Sequence, residues 1–367
     1  MKRRLVLLAL LTAGITAITA ANPETRNADT GGSDVGRPVR VVTLNVYHGV
    51  GAEFAAAASA TSFADFLQKA AAVYHGYHAR NFPERAAALA QLIDDARPDL
   101  IGVQEAVLVR TQSPADGPVT PATRVDLDYV KILLDALAAR GLVYEVVVQS
   151  PGFDIEVPTA LGFDLRHTDR EVILARRDGE DWNQKLFNAQ AANFVRNCQL
   201  PTATLGPITI RRSWVSIDVV NGGRTFRLIS THLDGDCLPI SGPAIQLDQA
   251  RELFANPAAT DLPLVLIGDL NSPADGTGVT YNELAGRGFA DAWTVAGSGP
   301  GLTCCQAADL LNTVPTFDRR IDLVLLRGGM RALSADTVGD EATARTASGM
   351  WPSDHASVVG VLRLEKR

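Results

Sequence analysis

The sequence predicts an α/β (α+β) fold in which two packed β-sheets are covered by helices. Two observations support this prediction. Apolar runs rich in β-branched residues recur between Val39 and Leu364, and they outnumber the segments with helical periodicity. Several consecutive runs are joined by hairpin-like turns, whereas a parallel βαβ sheet places a helix between successive strands. A two-sheet sandwich with helices on its outer faces satisfies both observations.

The N-terminal half alternates predicted strands and helices. Residues 84–96 carry apolar side chains at helical spacing, and Pro98 follows where the helix should end. Residues 126–140 have a similar pattern, with Gly141 at the position of a C-cap. The apolar runs between these segments predict strands at residues 39–46, 100–103, 143–148 and 172–176.

The C-terminal half contains more predicted strands than helices. An Asn-Gly-Gly turn separates residues 214–220 from 224–230, which predicts a β-hairpin. Residues 52–77 are rich in alanine and aromatic residues and predict an inserted helical element, whose purpose the sequence does not reveal. The remaining apolar segments predict a helix at 245–254 and strands at 262–267, 321–326 and 357–364.

The first residues are typical of an export signal. Three basic residues at positions 2–4 precede an apolar run from Leu5 to Ile18, and small residues follow. A membrane anchor is the alternative, but the run is short for a bilayer span. We therefore interpret 1–21 as a signal peptide, 22–38 as a disordered leader and 39–365 as one domain without a linker-like break. The mature protein is expected to be secreted or periplasmic.

The charge of the chain limits how it meets a polyanion. The formal charge is −7, and removal of the signal peptide leaves 31 basic residues against 41 acidic ones, a charge of about −10. An acidic protein exerts no long-range attraction on nucleic acid, so binding would need a local basic patch or bound cations.

Four cysteines, an even number, predict disulfide bonds in an exported protein. Cys304 and Cys305 are adjacent, and a bond between neighbours strains the chain. We therefore expect each of them to pair with a distant cysteine, either Cys198 or Cys237, although the sequence does not choose between the pairings. A zinc site is the alternative, but no CxxC spacing supports it.

Six short polar motifs, each attached to an apolar run, carry the candidate chemistry. Together they supply carboxylates, carboxamides and two histidines at predicted strand ends, where they can converge. Metal-assisted hydrolysis of a phosphate ester needs such oxygen ligands, a base for water and donors for the phosphate. In chain order the motifs are TLN (43–45), QE (104–105), STHL (230–233), GDLNS (268–272), RID (320–322) and SDH (353–355).

Four of these residues follow buried strands and suit a metal or phosphate site. Asp269 and Asn271 are two residues apart, so on an extended backbone they face the same way. The carboxylate can hold a metal or a nucleophilic water, and the carboxamide can donate to a phosphate oxygen. Glu105 ends a buried strand and is a candidate ligand for a hard cation. Asn45 is placed similarly. The alternatives are a strand-ending turn for Asp269 and Asn271, a surface acid at a strand terminus for Glu105, and the cap of a turn for Asn45.

The histidines supply candidate acid–base groups. His355, beside Asp354, is a candidate general base, and Asp322 is the candidate carboxylate that fixes its tautomer. The alternative for Asp322 is an ion pair with Arg319 or Arg320. A second candidate, His232, follows another strand, and Glu171 is a candidate to orient it. The other four histidines, His48, His75, His78 and His167, are interpreted as structural.

The ordered motifs resemble the endonuclease/exonuclease/phosphatase (deoxyribonuclease I-like) superfamily, as a secreted bacterial-type member, from about Val39 to Leu364. That superfamily contains pancreatic-type deoxyribonucleases, abasic endonucleases, neutral sphingomyelinases and inositol-polyphosphate 5-phosphatases. The resemblance implies a four-layer sandwich of two packed mixed β-sheets flanked by helices. It also implies phosphoester cleavage that depends on Mg²⁺, with Mn²⁺ or Ca²⁺ as alternatives. Tyr47 stands where abasic endonucleases carry an Asp, which argues against that branch.

The resemblance also assigns roles to the motif residues. Glu171, with Arg170 before it, resembles the arrangement that supports the second histidine in deoxyribonucleases. By position, Asn45, Glu105 and Asp354 match the metal-site residues, and Asp269 and Asn271 match the pair that orients nucleophile and phosphate. His355 matches the general base or phosphate-contacting histidine, and Asp322 matches the carboxylate partner of that histidine. His232 matches the second, phosphate-binding histidine.

The sequence therefore predicts a secreted, metal-dependent phosphodiesterase that activates water through a histidine, with an endonuclease as the favoured interpretation. A nucleic-acid substrate is favoured over a phospholipid, and the protein is expected to be a monomer without an obligate protein partner. A sphingomyelinase-like phospholipase C is the alternative, with Phe153 and Ile155 as candidate exposed apolar residues. A catalytically inactive binding module on the same fold is the contrasting hypothesis. The arginines available for a basic cleft are Arg80, Arg124, Arg166, Arg176, Arg177, Arg211 and Arg212.

Overall fold

The computed structural model describes residues 36–178 and 185–365. The predicted signal peptide at 1–21 and residues 22–35 of the predicted leader lie outside these ranges. None of the described helices is both long and apolar enough to cross a membrane.

The described chain forms sixteen strands, and every strand predicted from the sequence has a counterpart among them. They are β1 (Val39–Asn45), β2 (Leu100–Gln104), β3 (Leu108–Gln112), β4 (Arg124–Asp128), β5 (Tyr144–Pro158), β6 (Asp164–Arg176), β7 (Lys185–Asn193), β8 (Cys198–Leu200), β9 (Ile208–Ile210), β10 (Ser213–Asn221), β11 (Arg224–His232), β12 (Leu264–Asp269), β13 (Ala290–Asp291), β14 (Asp322–Arg327), β15 (Met330–Val338) and β16 (Ser357–Leu364).

Eight helices lie in the same part of the chain. The predicted insertion at 52–77 is two helices, and the helix predicted at 84–96 begins two residues earlier, at Phe82. The helices are α1 (Gly51–Ala58), α2 (Phe63–Ala79), α3 (Phe82–Ala96), α4 (Tyr129–Ala138), α5 (Leu238–Ser241), α6 (Ala244–Ala255), α7 (Val279–Gly286) and α8 (Ala292–Ala296).

The strands form two large mixed sheets and one small hairpin. The first sheet has the order β15-β16-β1-β2-β6-β3-β4, with β5 paired to β6, and the second has the order β13-β14-β12-β11-β10-β7. Strands β8 and β9 pair only with each other in the described residues. The pairs β1–β2 and β11–β12 are parallel, whereas the other neighbours are antiparallel.

The sheets pack face to face, and helices cover both outer faces. One apolar core lies between the sheets, with Val41 and Ile173 from the first and Ile217 and Val265 from the second. A second core joins the outer face of the first sheet to α2, α3 and α4, and a third joins the second sheet to α6 and α7. The predicted four-layer sandwich is confirmed.

One predicted boundary is wrong. Residues 126–128 belong to strand β4, which pairs with β3, and the helix predicted from 126 begins at Tyr129. The Asp128 side chain accepts a hydrogen bond from the Lys131 amide, 3.3 Å, and caps the helix. Residues 126–128 fit either a helix or a strand locally, so their pairing with β3 decides their conformation.

The predicted cysteine pairing is also wrong. Cys198 is bonded to Cys237, with Cα atoms 5.6 Å apart, and Cys304 is paired with its neighbour Cys305. Cys198 and Cys237 pack with Ile245 in a small apolar cluster of their own, whereas Cys304 lies in a β-bridge with His355. The two more distant cysteines are thus within bonding reach of each other, which leaves the adjacent pair together.

Candidate active site

The sheet registers bring five of the six motifs to one edge of the sandwich. Asn45 is aligned with Gln104 at the ends of parallel strands β1 and β2, and His232 is aligned with Asp269 at the ends of β11 and β12. Asp322, at the start of antiparallel β14, is aligned with Asp269. Parallel strands end at the same edge, and an antiparallel neighbour starts there, so the polar residues converge.

A buried arginine connects the first and last motifs at this edge. The Arg85 guanidinium, fully buried, donates to the carbonyl oxygens of Val46, Tyr47 and Pro352 at 2.8–2.9 Å. The Ser353 hydroxyl donates to the Asn45 carbonyl at 2.7 Å. The loop that carries Ser353 is therefore held against the end of β1.

The Asn45 side chain lies between two of the predicted metal-site and nucleophile residues. Its Nδ2 donates to Glu105 Oε1 at 3.2 Å and to Asp269 Oδ2 at 3.1 Å. Glu105 follows β2 with a φ of 57°, which turns its carboxylate toward the end of β1. Its other oxygen accepts the His48 amide at 2.7 Å. Strand ends from both sheets therefore share one polar cluster.

The Asp269–Asn271 pair forms a tight turn and not an extended strand end. The Asn271 amide donates to Asp269 Oδ1 at 2.9 Å, and Asn271 itself has a φ of 49°. Gly268, at a φ of 149°, permits a close approach, because a Cβ there would lie 1.8 Å from the Thr231 carbonyl oxygen. The turn brings the Asn271 side-chain amide to 3.0 Å from His232 Nε2.

His355 and Asp322 form a buried pair. His355 Nδ1 lies 2.7 Å from Asp322 Oδ2, and Asp322 is fully buried. The alternative ion pairs of Asp322 are not formed, because Arg320 pairs with Asp291 at 2.5 Å and Arg319 with Asp318 at 3.2 Å. The geometry therefore favours the orienting role of Asp322 over the structural ion pair.

Carboxylates crowd around His355. Its Nε2 is 3.8 Å from Asp269 Oδ2 and 3.9 Å from Asp354 Oδ1. Burial opposes a charge on the ring, but Asp322, Asp354 and Asp269 outweigh it and raise the His355 pKa well above its usual value. Burial, with repulsion from Asp322, raises the pKa of Asp269 to about 7, and burial raises that of Asp354 to about 6.

His232 is held in its neutral form. Burial, reinforced by the adjacent Arg212, lowers its pKa well below the usual value. Arg212 NH1 lies 3.0 Å from His232 Nδ1. Because a guanidinium only donates, Nδ1 accepts from Arg212, whereas Nε2 lies 3.0 Å from the Asn271 side-chain nitrogen and 3.5 Å from Asp269 Oδ2.

Glu171 lies beneath the cluster, in a network that joins the two sheets. Gln104 Nε2 donates to Glu171 Oε1 and to Ser230 Oγ, both at 3.1 Å, and the Ser230 hydroxyl also contacts Glu171. Burial raises the Glu171 pKa well above its usual value. In the described residues the ring partners of His232 are Arg212, Asn271 and Asp269, so Glu171 acts on its position only through the strand that carries Ser230.

Three site residues were not identified from the sequence. His48 was interpreted as structural, yet its amide and its ring, 3.6 Å away, both face Glu105. Gln104 lies in the QE motif, but the motif indicates no role for it, and Arg212 is one of seven arginines available for a basic cleft. Only proximity to a motif pointed to His48 and Gln104, and no local pattern distinguished Arg212.

The donor set suits a hard divalent cation. Glu105 and Asp354 supply carboxylate oxygens, the ligand type that Mg²⁺ prefers, and the Asn45 carboxamide oxygen, which accepts the Tyr47 amide at 3.0 Å, keeps one lone pair for a cation. Asp354 Oδ1 and Asp322 Oδ1 are buried and have no hydrogen-bond partner among the described residues. Asp269, Asp322 and His355 also place one ligand atom each within 4.8 Å of the others. Buried carboxylates without partners are expected to be satisfied by a cation.

The sequence profile of the "Endonuclease/Exonuclease/phosphatase family" matches residues 42–355, most of the chain. The chain belongs to this family. The match confirms the resemblance that the six motifs indicated. Enzymes of this family hydrolyse phosphoester bonds and generally use divalent metal ions.

Solved structures share the fold at low sequence identity. A family protein from Bacteroides thetaiotaomicron is 15% identical, with a TM-score of 0.54, over 90% of this chain and 99% of that one. A mannosyl-6-phosphatase from Bacteroides thetaiotaomicron VPI-5482 is 16% identical (TM-score 0.51; 88% and 99% covered). A family protein from Beutenbergia cavernae DSM 12333 is 20% identical (TM-score 0.52; 90% and 72% covered). No curated protein matches the chain in sequence.

Proposed function

We propose that this protein is an exported, divalent-metal-dependent phosphodiesterase. The observation that supports this most directly is the buried His355–Asp322 pair, 2.7 Å apart, beside the Asp269 carboxylate. A binding module without activity has no need for an oriented imidazole next to buried carboxylates, because such groups are costly to desolvate. The charged N-terminus and apolar run of residues 1–21 support export.

The site residues have different roles in hydrolysis. Asn45, Glu105 and Asp354 would hold the cation, which supplies charge neutralisation for the phosphate when it is bound. Asp322 holds the His355 ring, and the proton of the attacking water passes to the Asp269–His355 pair. The neutral His232 ring and the Asn271 amide donate to phosphate oxygens.

A nucleic-acid substrate stays a prediction, and the charges near the site favour a smaller one. Five of the seven arginines available for a basic cleft pair with carboxylates, which leaves little positive charge for a polyanion. A substrate with a single phosphodiester group needs no extended patch. The pairs are Arg80 with Glu53, Arg166 with Asp154, Arg176 with Asp99, Arg177 with Glu145 and Arg212 with Asp236.

The test is hydrolysis of bis(p-nitrophenyl) phosphate and p-nitrophenyl phosphate by the mature protein with Mg²⁺, Mn²⁺, Ca²⁺ or EDTA. We expect activity that EDTA abolishes, preference for the diester, and loss of activity in His355→Gln. Plasmid DNA and RNA serve as further substrates. A folded protein that hydrolyses neither chromogenic ester nor nucleic acid with any of the three ions would overturn the proposal.

A further inference from the structure

An apolar cavity of about 480 Å³ opens beside the phosphodiester site. Its walls come from the inserted helices α1 and α2, from strand β5 and from the β8–β9 hairpin. Its size lies in the range of small-molecule binding sites, about 300–1,000 Å³. Side chains that line it include Phe54, Phe66, Phe153, Val157, Leu205 and Ile208.

The cavity is continuous with the catalytic cluster. Glu105, which accepts from Asn45, and Arg212, which contacts His232, both line it. Arg212 Nε is buried and has no hydrogen-bond partner in the part of the chain that the structure describes. A donor is therefore available for a phosphate oxygen at the inner end of the cavity. A group that fills the cavity would therefore lie beside the phosphodiester site.

The walls determine the chemistry of that group. Apart from Arg212 Nε, the polar groups named here have protein partners: His167 Nδ1 lies 2.5 Å from the Tyr77 hydroxyl, and Arg212 NH2 lies 2.7 Å from Asp236 Oδ2. The remaining walls are mostly alanine, aliphatic residues and phenylalanine. A nucleobase would lose the hydrogen bonds of its edge there, whereas a hydrocarbon loses nothing on leaving water.

We propose that the substrate is a phosphodiester of an amphiphile and that one hydrocarbon chain of it is bound inside this cavity. This inference rests on the proposed phosphodiesterase activity. It also gives the insertion at residues 52–77 a function, since α1 and α2 form one wall of the chain-binding cavity.

The first experiment measures kcat/KM for a series of n-alkyl p-nitrophenyl phosphates, from methyl to dodecyl, with Mg²⁺ below the critical micelle concentration. Burial of each methylene should raise kcat/KM by about fourfold until the cavity is full. Lysophosphatidylcholine monomers should be hydrolysed faster than dioleoyl phosphatidylcholine in vesicles, because the hydrocarbon chain of the substrate must leave the bilayer to enter the cavity. A flat chain-length series, or activity confined to vesicles, would overturn the proposal.

Matched variants of α1 locate the effect. Ala55→Trp places a large side chain in the cavity and should cut the octyl-to-methyl ratio of kcat/KM at least tenfold, with the methyl ester within about twofold of wild type. Ala52→Trp is on the same helix, is also exposed and does not line the cavity, so it should retain the ratio. Leu205→Asp, at a position 39% exposed, is a second cavity variant that the fold should tolerate.

Binding without turnover provides an independent readout. Dodecylphosphocholine below its critical micelle concentration should bind the wild type, with a negative heat-capacity change in calorimetry, and should bind Ala55→Trp at least tenfold more weakly. If no alkyl ester, no bis(p-nitrophenyl) phosphate and no nucleic acid is hydrolysed, the proposed function fails. If the alkyl esters are hydrolysed but neither chain length nor Ala55→Trp matters, or if DNA or RNA is the better substrate, only the hydrocarbon proposal fails.

Discussion

The pairing of His355 with Asp322 leads to a prediction about non-additive kinetics. The perturbation is Asp322→Asn, which keeps the shape of the side chain and removes its charge. Asp322 is fully buried and its Oδ2 is 2.7 Å from His355 Nδ1, so no water can replace the lost contact. The amide leaves the ring without a charged acceptor, so it neither fixes the ring orientation as firmly nor raises the His355 pKa as Asp322 does.

The expected size of the effect follows from the role. Positioned acid–base groups contribute about 10²–10⁴-fold to rates, which is roughly 3–5 kcal/mol at 1.36 kcal/mol per tenfold. We expect kcat to fall by about 10³-fold in Asp322→Asn and by a similar factor in His355→Gln. If the two residues act as a unit, the double variant should be no slower than about 10³-fold, because the second change removes nothing further.

The assay is bis(p-nitrophenyl) phosphate hydrolysis at saturating Mg²⁺, with the rate in EDTA subtracted. Asp318→Asn is the matched control, because Asp318 is close in sequence, 69% exposed, and pairs with Arg319 and not with a histidine. Circular dichroism and the unfolding temperature check that the buried variants fold. Multiplicative losses, near 10⁶-fold in the double variant, would refute the coupled pair. Near-normal kcat in Asp322→Asn would refute the orienting role.

Three further predictions concern the metal site, the disulfide and a buried histidine. Glu105→Gln should lower turnover by roughly 10³-fold, about 4 kcal/mol of metal assistance, with the unfolding temperature nearly unchanged; near-normal turnover at saturating Mg²⁺ would remove Glu105 from the metal site. Cys198→Ser with Cys237→Ser should cost roughly 4 kcal/mol of unfolding free energy, for a bridge between residues 39 apart; unchanged urea midpoints would contradict this. Burial holds the His167 pKa at about 3, against 6.5 in the unfolded chain. As the pH falls, the unfolded state binds the proton first, so the free energy of unfolding should fall by about 2 kcal/mol between pH 6.5 and 5. The variant His167→Gln keeps an acceptor for Tyr77 and should remove that loss. Parallel pH profiles of the two proteins would show that the pKa of His167 is not depressed.

Several features followed from the sequence because their signals are local. The β10–β11 hairpin is encoded by two apolar runs around an Asn-Gly-Gly turn, and α3 by a helical stripe that ends before Pro98. Strand β4 could not be predicted in this way, because its residues 126–128 fit a helix as well as a strand. Its pairing with β3 is a long-range interaction that no local window contains.

At the candidate site, too, local signals predicted the residues, and only the packing decided their contacts. The ordered motifs sufficed to nominate Asn45, Glu105, Asp269, His232 and the His355–Asp322 pair, since each motif places a chemically distinctive residue beside an apolar run. The motifs did not show which groups touch. That Asn45 bridges carboxylates from the two sheets, and that His232 contacts Arg212, depends on sheet packing.

The sequence by itself determined the family, the layered fold and the order of the catalytic motifs, because these are written in short-range patterns of apolar and polar residues. Tertiary structure decided the cysteine pairing, the ion pairing of the arginines and the apolar cavity between α1, α2, β5 and the β8–β9 hairpin. Each of these joins residues far apart in the chain. A cavity is the space that packed elements leave between them, so its existence depends on their relative positions and not on the residues of any one element.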